Sequence, residues 1–193
     1  MDKAGLIRER FQEAISAFNG ALESCTPDIA EASAAIVESF KGGGKLLICG
    51  NGGSAADAQH MAAEFVSRLT KEFERPALPA IALTTDTSFL TAYANDCGYE
   101  GVFARQIEGL GRKGDVCLGI STSGSSKNVI RAFETARSLG LKTISLTGQG
   151  DGLKLLSDIW ISVPSTNTQH IQEAHLCIEH IICEMVEREI FGG

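Results

Sequence analysis

Asp115-Val-Cys-Leu-Gly-Ile-Ser-Thr-Ser-Gly-Ser-Ser126 decides the fold. Its first half is a continuously apolar run, Val116–Ile120, and its second half is a loop of hydroxyls around a glycine. A helical run, Lys127-Asn-Val-Ile-Arg-Ala-Phe133, starts immediately after it. A buried strand that empties into such a loop brings hydroxyls, free backbone N–H groups and the positive end of a helix dipole to one small volume. That is an anion socket, suited to a phosphate. A serine N-cap needs only one hydroxyl, and this loop offers several. No glycine-spaced loop is followed by a lysine-threonine pair, which excludes an ATPase P-loop.

The pattern repeats on both sides of this stretch. Leu46–Cys49, Ala80–Leu83, Thr143–Leu146 and Ile159–Val163 are further apolar runs. Helical runs near 55–70, 86–95, 100–111 and 126–139 alternate with them. The strands are apolar throughout instead of alternating, as expected of a parallel sheet covered on both faces. The expected fold is α/β, a three-layer αβα sandwich on a five-stranded parallel sheet. Asp151–Ser157 is expected to be a short helix and Thr168–Glu189 a long one. Before the first strand, Ile7, Phe11, Ile15, Phe18 and Leu22 recur at helical spacing. Thr26-Pro27-Asp28 predicts a break, and Ile29, Ala32, Ile36 and Phe40 continue in a second helix. These N-terminal helices, within 1–42, either cover the sheet or pack subunits together. No linker or repeat divides residues 1–193, so a single domain is expected, with 45–193 forming the sandwich and C-terminal helix.

A second loop, Gly50-Asn-Gly-Gly-Ser54, leaves the first strand and opens a helix. It matches the dinucleotide fingerprint in form. The acid that should reach a ribose is Asp86, 36 residues after Gly50 where about 20 are expected. A nicotinamide site would also leave the serine loop unexplained. A small ligand between two strand-end loops accounts for both. Four residues apart on the helix leaving this loop, His60 and Glu64 share one face. The last helix carries Gln172, Glu173, His175, Glu179 and His180 among isoleucines, and such residues are costly to bury without partners.

Composition bounds the rest. The net charge is −7, which argues against a nucleic-acid or anionic-membrane surface. Six cysteines without a C-x-x-C pair are expected to be reduced, in a cytoplasmic protein, and not to form a disulfide frame. No apolar run is long enough to span a membrane.

Gly50-Asn-Gly-Gly-Ser54, Asp57-x-x-His60-x-x-x-Glu64, Ala94-Asn-Asp96, Gly114-Asp-Val-x-Leu-Gly-Ile-Ser-Thr-Ser-Gly124, Leu146-Thr-Gly148 and Ile171-Gln-Glu-x-His175-x-x-x-x-His180 together resemble the phosphoheptose isomerases, sugar-isomerase (SIS) domain enzymes acting on sedoheptulose 7-phosphate. The resemblance runs over nearly the whole chain. It implies a homotetramer and one zinc ion per subunit held by His60, Glu64, Gln172 and His180. It implies substrate contacts at Asn51, Gly52, Gly53, Glu64, Asn95, Asp96, Ser121, Thr122, Ser123, Ser126 and Gln172. It assigns the base to Glu64 and the acid to His180, in heptose synthesis for lipopolysaccharide core or capsule. Thr168-Gln169-His170 departs from the family pattern just before Ile171.

On a straight helix Gln172 and His180 stand about 12 Å apart along the axis, whereas a zinc–ligand bond is about 2 Å. Sites assembled at subunit interfaces follow as the expectation. Other members of the domain family are an initiator-binding (DnaA-binding) replication regulator, which lacks the catalytic acids, and an arabinose 5-phosphate isomerase, often with appended regulatory domains. A sugar-phosphate sensor would need a further segment.

Overall fold

The computed structural model describes residues 1–71 and 74–192. Its elements are α1 (Lys3–Lys41), β1 (Leu46–Gly50), α2 (Gly53–Val66), β2 (Ala80–Ala82), α3 (Thr87–Cys97), α4 (Val102–Leu110), β3 (Val116–Ser121), α5 (Lys127–Ser138), β4 (Lys142–Thr147), β5 (Ile159–Ser162) and α6 (Thr168–Phe191). All strand pairs are parallel, in the order β2-β1-β3-β4-β5. Leu46, Ile48, Val116, Leu118, Ile144 and Leu146 face one helical layer, which contains α1, α2 and α6. Leu47, Cys49 and Cys117 face the other, where α4 and α5 pack. Strands with apolar side chains on both faces need cover on both sides, so the sandwich has three layers.

Two expectations change. The N-terminal segment is one helix, not two, and Pro27 lies inside it. Proline removes one N–H and crowds the preceding turn, at a cost of about 3 kcal/mol or more in a helix interior. The apolar stripe explains why the helix continues. Ala21, Cys25, Ile29, Ala32 and Ile36 follow one another at helical spacing across Pro27, and all are buried. A break at 26–28 would put the two halves out of phase. Asp151–Ser157 holds only a 3₁₀ turn, Lys154–Leu156. Two glycines at 150 and 152 precede it, pressed against the backbone of Ser123 and Gly124, and leave no room for another helical turn.

The two halves of α1 differ. The C-terminal half is core. In the N-terminal half, Ile7, Phe11, Ile15 and Leu22 are each more than half exposed. Ile7, Phe11 and Ile15, together with Leu6, Ala14 and Phe18, line an open apolar groove of about 560 Å³. The face that carries Ile7, Phe11, Ile15 and Leu22 therefore does not cover the sheet, whereas Ala17 and Ala21 on the opposite face are buried. His170 pins the helix nearby. Its ring is 7% exposed and lies between Glu13 of α1 (3.1 Å) and Glu173 (2.9 Å).

Candidate active site

In this strand order the chain departs to opposite sides from β1, toward β2 and toward β3. The crevice at the carboxyl ends of β1 and β3 is the switch point where open α/β sheets take ligands. Both loops singled out in the sequence end there. They are joined by a reciprocal amide pair: Asn51 Nδ2 donates to Asn128 Oδ1 (2.9 Å), and Asn128 Nδ2 donates to Asn51 Oδ1 (2.8 Å). Asn128, on the first turn of α5, had no local signal beyond its position after the serine loop. Asn51, which the family resemblance places on the substrate, also joins the two loops.

The serine loop has the form of a socket. Ser126 is the N-cap of α5 yet makes no side-chain capping bond. Its hydroxyl lies 2.9 Å from that of Ser121 instead. The first N–H groups of α5 thus have no hydroxyl of their own covering them, which favours an anion at this helix end. Ser123 and Ser125 are exposed, with hydroxyls 3.1 Å apart. Gly124 turns at φ +66° beneath the carbonyl of Gly150, a close crossing that no side chain would permit. Gly148 N–H donates to the carbonyl of Thr122 (3.1 Å). The loop after β4 thereby backs the serine loop.

Helix α2 carries the second half of the site. Gly52, at φ +57°, starts it, and the side-chain amide of Gln172 lies where a Cβ on Gly53 would be, 2.5 Å from its nitrogen. Further along, His60 Nε2 is 2.8 Å from His180 Nε2 and 3.6 Å from Glu64 Oε1. Two imidazole nitrogens at that distance share one proton, one donating and the other accepting. His60, Glu64 and His180 therefore meet within one chain, on α2 and α6. Gln172 is on the same face of α6 but beside Gly53, seven residues before His60, as the straight-helix geometry requires. Asn95 and Asp96 are exposed at the end of α3 and bond each other (2.8 Å).

Residues next to these in sequence on α2 and α6 add polar groups without partners, of which the sequence flagged Glu179 only as costly to bury. Glu179 is fully buried, neither carboxyl oxygen has a partner, and Asp57 Oδ2 is also unpartnered. Burial, with a smaller contribution from Asp57, raises the Glu179 pKa to about 9. Burial also raises that of Asp57, against the opposing influence of His60. His175 is the structural one of the two late histidines. It is fully buried, its Nε2 is 3.1 Å from the carbonyl of Thr147, and burial lowers its pKa to about 4.

Among the described residues, no three His, Cys, Asp or Glu side chains stand at metal-ligand spacing. The donor chemistry nonetheless suits zinc. His60 lies beside both the His180 ring and the Glu64 carboxylate, and two imidazoles with one carboxylate are a donor set that zinc accepts.

Comparison with known proteins now bears on this site. The SIS domain family model matches residues 10–148. A phosphoheptose isomerase of Akkermansia muciniphila is 52% identical over 174 residues, 90% of this chain and 91% of the relative. One from Roseiflexus sp. is 56% identical over 171 residues, 88% and 86% of the two chains. A solved phosphoheptose isomerase from Francisella tularensis superposes with a TM-score of 0.93 at 40% identity, covering 97% of this chain and all of that one. Another, from Neisseria gonorrhoeae, gives 0.90 at 40% identity, covering 95% and 98%.

The chain belongs to the phosphoheptose isomerase family of SIS-domain enzymes.

Membership makes it an isomerase with a sugar-phosphate role in heptose synthesis. No helix among the described residues is long and apolar enough to cross a membrane.

Proposed function

We propose that this chain interconverts sedoheptulose 7-phosphate and D-glycero-D-manno-heptose 7-phosphate. The observation that carries this is the contact of His60, on α2, with both Glu64 and His180; α2 opens at the glycine loop, whose Asn51 is bonded to Asn128 beside the serine loop. A ketose becomes an aldose when a proton leaves C1, an enediolate forms across C1 and C2, and a proton is returned to C2. Glu64 is the base. A carboxylate on the crevice wall can take the C1 proton and deliver it to C2, provided it lies within about 3 Å. His180 is the acid that moves a proton between the sugar oxygens, and its contact with His60 orients the ring. Ser121, Thr122, Ser123 and Ser126 hold the phosphate away from the reacting carbons. Binding energy spent there orients C1 and C2. Gln172, with Gly52 and Gly53, contacts the sugar, and Asn95 and Asp96 reach it from α3.

Zinc would be held by His60, Glu64 and His180, one ion per subunit; Gln172, the further donor that the family resemblance implies, lies beside Gly53 and away from this trio within one chain. Bound there, it would supply Lewis-acid polarisation of the carbonyl. A homotetramer with sites at subunit interfaces is the proposed assembly. The bare apolar half of α1 supports it, since contiguous exposed apolar surface of this kind marks an association site. A cytoplasmic location and a product used for lipopolysaccharide core or capsule complete the proposal.

The test is to incubate the protein with sedoheptulose 7-phosphate in D2O, with and without a chelator, and follow products by NMR. Formation of the aldose phosphate is expected, with solvent deuterium at C2 to the extent that the Glu64 carboxyl exchanges its proton before returning it. No aldose product under either condition would refute the proposal.

A further inference from the structure

Helices fray at their ends, and their last four carbonyls lack intrahelical partners. Glu64 lies in the last turn of α2, which ends at Val66. A base placed there needs something outside the helix to hold it. We propose that Arg75 is a positioning residue for Glu64, acting through the main chain. This rests on Glu64 being the base.

The Arg75 side chain is 1% exposed, and its donors are all directed. Nη2 donates to the carbonyl of Glu64 itself (2.7 Å) and Nη1 to that of Phe65 (2.8 Å). Nη1 also donates to the carbonyl of Pro76 (3.0 Å). Nε donates to Glu187 Oε1 (2.7 Å), and Nη2 pairs with the same oxygen. Glu187, on α6, also accepts from the N–H of Leu69 (3.1 Å). One fork therefore joins the end of α2, the segment after it and α6, the helix that carries His180. Phe65, next to the base, is fully buried.

A buried ion pair is a poor device for stability alone, because desolvation offsets most of its attraction. Apolar residues of similar volume would tie these elements together as well. They would not grip the carbonyls of residues 64 and 65. Placement of a reacting group matters at the scale of an ångström, where an error of about 1 Å costs about 100-fold in rate.

The experiment compares Arg75→Lys with Glu187→Gln, after wild-type turnover of sedoheptulose 7-phosphate has been established. Lysine keeps a charge beside Glu187 but lacks the fork that reaches both carbonyls. Glutamine keeps an acceptor for Arg75 and removes the ion pair. Rates are taken per folded chain, well below each thermal midpoint, and sugar-phosphate affinity is measured by calorimetry. Arg75→Lys is expected to lose about 10- to 100-fold in kcat with affinity within about threefold of wild type. Its amides at 64–69 should exchange hydrogen at least about tenfold faster while those at 54–60 do not. Glu187→Gln is expected to lower the midpoint and keep kcat within about threefold. Arg75→Lys turning over within threefold of wild type, or losing affinity as much as kcat, overturns the proposal. A wild-type chain that turns over no sugar phosphate removes the assignment of Glu64 as base, and the positioning role with it. That outcome is seen before any variant is made.

Discussion

Nε2 of His60 lies 2.8 Å from Nε2 of His180, across 120 residues of sequence, and Glu64 stands one helical turn beyond His60. No short motif predicts that contact. It places two family-implied residues from opposite ends of the chain on one spot.

Removing the base should separate binding from chemistry. Glu64→Gln keeps the side-chain volume and is expected to lower kcat by at least about 100-fold, with an unchanged circular dichroism spectrum. Sugar-phosphate binding, measured by calorimetry, should persist. Turnover near wild type would remove Glu64 from the mechanism.

The serine loop should control affinity. Ser121→Ala with Ser123→Ala removes the hydroxyl facing Ser126 and the one facing Ser125. Each lost hydrogen bond to a charged group is worth about 1.5–3 kcal/mol, so losing two should raise KM by about 100-fold or more. The kcat should change less. Steady-state kinetics decide this, and an unchanged KM would place the phosphate elsewhere.

Gly53 is a test of Gln172. An alanine Cβ would sit 2.5 Å from the amide nitrogen of Gln172 and displace that flexible side chain. Gly53→Ala should therefore weaken turnover with a thermal midpoint close to wild type. Crystallography or activity assays would show the displaced amide. Full activity would mean that Gln172 has no role at this loop.

Glu179 gives a pH signature. Its folded pKa is raised from 4.5 to about 9, so the folded chain holds a proton that the unfolded chain releases. Stability from this group is therefore present below pH 4.5 and falls as pH rises toward 9, by up to about 1.4 kcal/mol per pH unit. His175 works in the opposite direction on the acid side. Its folded pKa is lowered to about 4, so stability is lost as pH falls from 6.5 toward 4. The Glu179 effect should thus be clearest above pH 6.5. In metal-free protein, the thermal midpoint of Glu179→Gln minus that of wild type should increase from pH 6.5 to 9. A flat difference would contradict the burial argument.

The sheet was largely legible in the sequence because buried parallel strands are short apolar runs closed by glycine or hydroxyl loops. Val116–Ile120 differs from β3 by a single residue. Pro27 misled because proline reads locally as a break, while the buried stripe that carries α1 onward spans both sides of it. Arg75 and Glu187 lie 112 residues apart, and Asn51 and Asn128 lie 77 apart. Such pairs leave no spacing to recognise, and each member alone resembles a surface residue. Glu179 was flagged only as a costly polar residue on an isoleucine-rich helix. Its nearness to Asp57 follows from how α6 lies on α2.

The two-natured first helix has a consequence for handling the molecule. One end is sealed into the core, and the other offers Phe11 and Leu22 to water at 68% and 70% of their area. Folding cannot hide that end within a solitary chain. Its thermal midpoint should therefore climb with protein concentration, as mass action demands when greasy surfaces find one another. A lysine at position 11 should abolish that dependence and leave the sheet intact.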